Sequence, residues 1–552
     1  MLGAAMPVWA QQKDITDLLT HYDADKWSLY RFYQVDGSPE RIARFKTFND
    51  DYLQQLEKVN FDALSNGARV DYILFRQQLK DKILHLDEEA AQVKQLSPWF
   101  PQADKIYAAE KLRRRGTKQD APALAVTLRE MSIAIKAKEA ELANNKDLNI
   151  YLLRRGQEAA KGLREALQSI YTFYNGYDPL FSWWIPAPYA QLDSALKSYS
   201  AAWAMKMKNT PGTKDDGSGI TGHPIGREEL IRQLQVEMIP YTPDELIDIA
   251  NKEFAWCDKE MLKASQEMGF GNDWHKALEK VKNTYVPAGD QPEAIMKLYN
   301  ESVDFLKGHH LVTIPPLAEE TWRMIMMTPE RQLVNPFFTG GEELSISYPT
   351  SDMEEADKLM SMRGNNPHFS RATVHHELFA GHALQEFMTN RYKTYRHFET
   401  PFWIEGWSLY WEMLLWDLKF PQSPEDRVGM LFWRMHRCAR IIFSLNYHQG
   451  KWTPQQCIDF LVDRVGHERA NAAGEVRRSF KGDYSPLYQV AYMIGGLQFM
   501  ALKRELVDSG KMTFQQYHDA IMQENMLPVE MIRVILENRT ISKDFKTNWR
   551  FY

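Results

Sequence analysis

The stretch TVHHELFAGHALQEF, Thr373 to Phe387, holds three histidines and two glutamates among apolar residues. His376, Glu377 and His382 follow the order of the zinc-hydrolase motif His-Glu-x-x-His, but the second histidine comes two residues late. In an unbroken helix six residues rotate by about 600°, which leaves the second imidazole about 120° from the first. Both can face one ion only if the helix breaks between them, and Gly381, directly before His382, tolerates such a break. Two other pairings stay open. His375 and His382 share a face but lie about 10.5 Å apart along the axis. His382 and Glu386 are four apart and would leave His376 as a bystander. The broken helix is preferred because it keeps Glu377 beside a ligand, where a general base has to sit. The competing explanation is a helix whose histidines are simply satisfied by hydrogen bonds.

The next helical stretch favours a metal. TPFWIEGWSLYWEML, Thr400 to Leu414, opens with Thr400 as cap and Pro401 in the first turn. It is almost wholly apolar, yet carries Glu405 and, seven residues on, Glu412, which return to nearly the same face. A buried carboxylate is costly unless it is paired or binds a metal. Glu405 is therefore the expected third ligand. Glu412 is better read as holding an arginine such as Arg434, Arg437 or Arg440.

Around these segments the chain has 552 residues, 44% hydrophobic and 25% charged, with net charge −6. That is a globular composition with no basic face for nucleic acid. No stretch approaches the roughly 20 apolar residues that span a membrane. MLGAAMPVWAQQ at the start, ending its apolar run in Val8-x-Ala10, reads as the remnant of a signal peptide (1–10) and implies a periplasmic protein. The alternative is a cytoplasmic chain with an apolar N-terminus. Cys257, Cys438 and Cys457 have no metal spacing. A Cys438–Cys457 bridge is conceivable in an oxidising compartment, but unpaired core thiols are the preferred reading.

Helical periodicity dominates, as in residues 52–86, 123–145, 163–177, 242–268 and 291–309, with Thr242 and Glu245 spelling a capping box. Two strand signals, EETWRMIMMT (319–328) and EELSISYPT (342–350), flank a Pro/Gly link and predict a small antiparallel pair. The second could also align an extended peptide by strand addition. The linker Asn209–Gly226 contains Gly217-x-Gly219-x-x-Gly222, but the polar stretch before it is no strand, so a surface loop is expected rather than a dinucleotide site. It separates an N-terminal helical lobe, 11–225, from a C-terminal lobe, 226–552, that carries the metal site at 373–412.

HELFAGH (376–382) and EGWSLYWE (405–412) resemble His-Glu-x-x-Pro-Gly-His and Glu-Gly-Trp-x-Leu-Tyr-x-Glu, the motifs of a bacterial family called domain of unknown function eight-eight-five. Its members are often labelled lipoproteins. The resemblance runs on through NYHQGKWTPQQCIDFL (446–461), EVRRSF (475–480) and YSPLYQVAYMIGGL (484–497), and more weakly through HPIGREEL and YTPDELIDIANKEF. Two departures stand out: Ala380 replaces the family's proline, and no cysteine near the N-terminus offers a lipid attachment point. Glu405-x-x-Ser408-x-x-x-Glu412 is also similar, over a short span, to the ligand helix of thimet-type oligopeptidases.

The resemblance implies a mainly α, two-lobed gluzincin-like body with the β element beside the cleft. It implies zinc on His376, His382 and Glu405, with Glu377 as base. His448 and Tyr492 match family motif positions and are expected to steady an oxyanion, with Tyr488 less secure. His375, Glu412 and Glu386 are expected to surround the ligands, and Glu475 and Arg478 to pair inside the body. The expected substrate is a short peptide. The competing functions are a zinc amidase acting on a non-peptide amide, such as a cell-wall fragment, and a non-catalytic binding protein. Retention of Glu377 argues against the last.

Overall fold

The computed structural model describes residues 8–210, 215–335, 337–481 and 484–552, with side chains described from Ile15 onward except at 333 and 334. The first seven residues of the proposed signal remnant lie outside these limits. The architecture is mainly α, with one two-stranded sheet among the described residues. No described helix is long and apolar enough to cross a membrane. The chain divides into two compact units, Met1–Lys214 and Asp215–Tyr552.

The first unit is a set of packed helices whose starts are written locally. Ser38, Ser65, Asp120, Asn149 and Asp178 each accept a backbone N–H at an N-cap. The run 52–86 is not one helix. Pro39–Glu57 ends, a short 3-10 turn Phe61–Ala63 intervenes, and Ser65 caps Asn66–Leu96. The core gathers Leu128, Met131, Ile135, Leu163, Leu196, Tyr199 and Trp203, all fully buried.

The second unit begins ahead of the sequence boundary at 225/226. Asp215–Gly226 belongs to it because Asp216 Oδ2 accepts the Gln455 amide at 2.6 Å and Gly226 N donates to the His448 carbonyl at 2.9 Å. Asp215 Oδ1 also accepts the amides of Gly217 and Gly219, so the glycine-rich stretch is a self-capped loop. Pro243–Glu267 opens on the expected capping box of Thr242 and Glu245. All three cysteines are buried and free.

The expected antiparallel strand pair is instead parallel. β1, Arg323–Met326, pairs in register with β2, Glu343–Ile346. The link between them is no hairpin turn: the helix Pro329–Val334 carries the chain back across, so β2 enters in the same direction. Its Gly340–Gly341 end turns back on β2 itself, where Thr339 and Ser345 form an antiparallel bridge. β2 is thus occupied on both edges by its own chain near Ser345, which takes away the edge that strand addition by a peptide requires.

Two helices set the position of the site. Pro401–Asp417 and Tyr488–Lys503 are apolar almost all round and buried. They cross in backbone contact: a Cβ on Gly406 would lie 2.5 Å from Gly495 Cα, and one on Gly495 would lie 2.8 Å from Gly406 Cα. Only glycine at both positions allows that approach. It brings Glu405 beside the Tyr488 turn.

Candidate metal centre

The helix Pro367–Glu377 ends at the first motif histidine pair, and a new helix, His382–Thr389, starts at the second. Leu378 (φ −106°, ψ −114°) and Gly381 (φ −87°, ψ −134°) are both non-helical, and the Phe379–Ala380 peptide bond is cis. The break lies where the spacing required it. A Cβ on Gly381 would lie 2.5 Å from the His376 carbonyl carbon and 2.6 Å from the His375 oxygen, so the returning chain is pressed onto the turn it has just left.

That return brings three donor atoms together. Glu405 Oε2 lies 3.5 Å from His376 Nε2 and 3.3 Å from His382 Nε2. Ligands at 2.0–2.1 Å from a tetrahedral ion stand about 3.3–3.4 Å apart along each edge. Glu405 Oε2 is buried and receives no hydrogen bond of acceptable geometry, although Oε1 accepts the Tyr488 hydroxyl. A ring nitrogen of each histidine and a carboxylate oxygen of Glu377 also lie within 4.8 Å of one another. The donor set therefore fits a zinc ion. Burial disfavours the His382 cation, but the Glu405 carboxylate outweighs burial and raises that group to about 9.

The outer nitrogens are fixed as well. His376 Nδ1 lies 2.7 Å from Glu412 Oε1, which also accepts Arg437 Nη2 at 3.2 Å. His382 Nδ1 lies 3.0 Å from Gln385 Oε1 and 3.3 Å from Ser408 Oγ, while that hydroxyl donates to the His376 carbonyl at 3.0 Å. An acceptor on Nδ1 holds a proton there and aims Nε2 inward, the nitrogen left to bind a metal when its own proton is displaced. Burial raises the Glu412 carboxyl, but Arg437 and His376 overcome it and hold it down to about 2. Glu412 therefore serves both His376 and an arginine.

The donors open onto a cavity of about 300 Å³. Every lining residue belongs to the second unit; they include Phe337 to Gly340, His376, Glu377, His382, Glu405, Tyr488 and Tyr492. Glu377 projects here with one oxygen accepting the Gly340 amide at 2.5 Å. Tyr492 lies flat against His376, with ring centroids 6.1 Å apart. Burial, then the neighbouring carboxylate and phenols, raises both tyrosines, so each remains a neutral hydroxyl donor.

Three expected participants fall elsewhere. His448 ends the helix Pro424–His448, about 12 Å along the axis beyond the cavity-lining Arg440, and its ring sits against Tyr447 and Phe480. Burial lowers it to about 4. His375 does not line the cavity; its ring stands edge-on to Phe420, near Glu412, with no hydrogen-bond partner on either ring nitrogen. Glu386 is exposed and accepts the Glu342 amide at 2.9 Å, fastening the loop before β2. Glu475 and Arg478 do pair, and Arg440 joins them at 2.6 Å. Sequence reasoning treated Arg437, Arg440 and Arg478 as structural partners, but all three also line the cavity. Ser408 and Gln385, which orient His382, were not singled out for that task. Their positions, four after one ligand-helix glutamate's predecessor and three after His382, were the available signal.

A solved structure titled "The structure of a putative lipoprotein of unknown function from Shewanella oneidensis" matches with TM-score 0.68 at 15% identity, covering 95% of this chain and 99% of that one. A "putative lipoprotein from Colwellia psychrerythraea" matches with TM-score 0.59 at 14% identity, covering 96% and 99%. At such identity the likeness concerns the fold alone. No curated protein matches the chain. The family model "Bacterial protein of unknown function (DUF885)" matches residues 32–535, and the chain belongs to that family.

Proposed function

We propose that the second unit is a zinc-dependent, gluzincin-like hydrolase of amide bonds in short peptides. His376, His382 and Glu405 would hold the ion, and Glu377 would serve as general base. The observation that carries this is the meeting of two Nε2 atoms and Glu405 Oε2 at tetrahedral edge lengths, 3.3 and 3.5 Å. A zinc ion held there supplies a Lewis acid that acidifies water and polarises a carbonyl.

The remaining roles belong to the chain. Glu377 takes the proton of the attacking water and passes it to the leaving amine. The Gly340 amide on Glu377 Oε2 holds that carboxylate in place and leaves its other oxygen for the water. Tyr492, whose hydroxyl is not given to Glu405, is the preferred donor to a developing oxyanion, while Tyr488 donates to Glu405 Oε1 and steadies that ligand. The Glu405-x-x-Ser408-x-x-x-Glu412 helix, with its ligand, orienting serine and His376 partner on one face, supports the analogy with thimet-type oligopeptidases. A cavity of about 300 Å³ suits a short substrate. The lipoprotein titles of both solved relatives, together with the Val8-x-Ala10 signal, favour a place in the cell envelope.

Metal analysis and peptide hydrolysis by the wild type and Glu377→Gln test the scheme. Expected are one zinc per chain in both proteins and turnover in the wild type alone. Zinc binding that survives His382→Ala unchanged removes the ligand set. Turnover of non-peptide amides with none of peptides moves the protein to the amidase class.

A further inference from the structure

Arg437, Arg440 and Arg478 line the same cavity as the three metal donors. Their carboxylate partners are too few. Glu475 accepts Arg440 Nε at 2.6 Å and also takes Arg478, while Glu412 accepts Arg437 Nη2 at 3.2 Å and is shared with His376. Arg478 Nη1 has a further long bond, 3.4 Å, to Asn335 Oδ1. Three guanidinium groups thus face two carboxylates, one of them already committed to an imidazole.

Donors are left over as a result. Arg437 Nε, Arg440 Nη1 and Arg478 Nε are buried without an acceptor. Arg437 and Arg440 are only 4% and 2% exposed, so solvent does not satisfy them as it would at a surface. A buried N–H without an acceptor is unfavourable, and more so when charged. The acids that line the cavity, Glu377 and Glu405, are engaged by the Gly340 amide and by the donor cluster. An anion brought by a ligand is what this wall lacks.

We propose that Arg437, Arg440 and Arg478 form a subsite for a carboxylate of the substrate. For the word substrate this rests on the hydrolase proposal; the anion chemistry does not. Guanidinium forks match a planar carboxylate with paired, charge-assisted bonds. Tyr492 also fixes the reach. Its ring centroid is 6.1 Å from that of His376, and the Arg437 and Arg440 guanidinium carbons are 4.7 and 4.2 Å from it. Arg437 and Arg440 therefore lie within about 11 Å of the His376 ring, and Arg478 joins Arg440 through their shared partner Glu475. An extended chain advances about 3.3–3.6 Å per residue, so at most about three residues separate the scissile bond from the carboxylate. A terminal carboxylate at that spacing makes the enzyme one that trims short C-terminal pieces. An acidic side chain at that spacing makes it selective for acidic residues.

Calorimetric titration of the full-length, metal-free protein separates these cases without relying on turnover. The probes are acetyl-Ala-Ala with a free C-terminus, the same peptide as its amide, and acetyl-Ala-Glu-amide. The free acid is expected to bind the wild type at least about tenfold tighter than the Ala-Ala amide, the scale of one charge-assisted hydrogen bond or more. Arg478→Gln is expected to bring the two within threefold while leaving the amide unchanged. Should Arg478→Gln fail to fold, Arg478→Lys, which keeps the charge and loses the fork, replaces it. Tight binding of the Glu amide in place of the free acid assigns the subsite to a side chain. Equal binding of all three by the wild type, no measurable binding of either acid at millimolar concentration, or an undiminished preference in Arg478→Gln overturns the proposal. Preference for the acid in a protein that hydrolyses no amide overturns the hydrolase and leaves the subsite standing.

Discussion

Gly381→Ala is the sharpest perturbation the structure offers. The added Cβ falls 2.5 Å from the His376 carbonyl carbon and 2.6 Å from the His375 oxygen, where 3.0 Å is the closest approach real Cβ atoms make. All these neighbours are backbone, and the His376 carbonyl is also tied to Ser408 Oγ at 3.0 Å. The His376 oxygen is closer still and no side chain can swing away, so the two turns must part by about an ångström. Zinc–ligand distances tolerate about ±0.2 Å. His376 and His382 sit on the two sides of that gap, so the variant cannot keep both Nε2 atoms at bonding distance. The expected loss is at least about 100-fold in zinc affinity, near 3 kcal/mol. Overpacking adds about 1–3 kcal/mol of destabilisation. Competitive zinc titration against a chromophoric chelator measures the first, after circular dichroism shows that the variant is folded. A folded Gly381→Ala protein that binds zinc within threefold of the wild type would refute the claim that this backbone return builds the site.

Glu412→Gln keeps an acceptor for His376 but removes the charge that serves it and Arg437; zinc affinity should fall about 10–100-fold in the same titration. Tyr488→Phe frees Glu405 Oε1 from its only hydroxyl donor and should weaken zinc by about tenfold, with folding unchanged. Glu475 is raised by burial but held down to about 2 by Arg440 and Arg478, below its ordinary 4.5. Its contribution to stability, on the order of 3 kcal/mol, is therefore complete above about pH 4.5 and lost as pH falls toward 2. Denaturant unfolding of Glu475→Gln at pH 7 and pH 3 should show a smaller acid loss than the wild type, and parallel losses would count against the ion cluster.

Much of the candidate site was legible because its parts are local. Two histidines six apart can face one point only if the helix breaks at the glycine between them, and two glutamates seven apart on an apolar helix share a buried face. Caps at Thr242 and Thr400 depend on a few consecutive residues and stand where the sequence placed them. The β element fared differently. Its two strands were found, but their direction depends on the path of the chain through Pro329–Val334, which strand composition does not encode.

The sequence by itself determined that the protein is mainly helical, and it marked the stretch between His376 and His382 as the place for a break and His376, His382 and Glu405 as candidate donors. The tertiary structure decided which distant residues complete the cavity. Tyr488 reaches Glu405 across 83 positions because Gly406 and Gly495 let two buried helices touch. Arg440 reaches the local Glu475–Arg478 pair because the helices Pro424–His448 and Arg469–Phe480 meet there, and His448 falls away from the cavity because its helix carries it about 12 Å beyond Arg440. Helical period and capping act over a turn or two of chain. Which faces then meet is set by packing between segments far apart in sequence, where one glycine or one crossover changes the outcome.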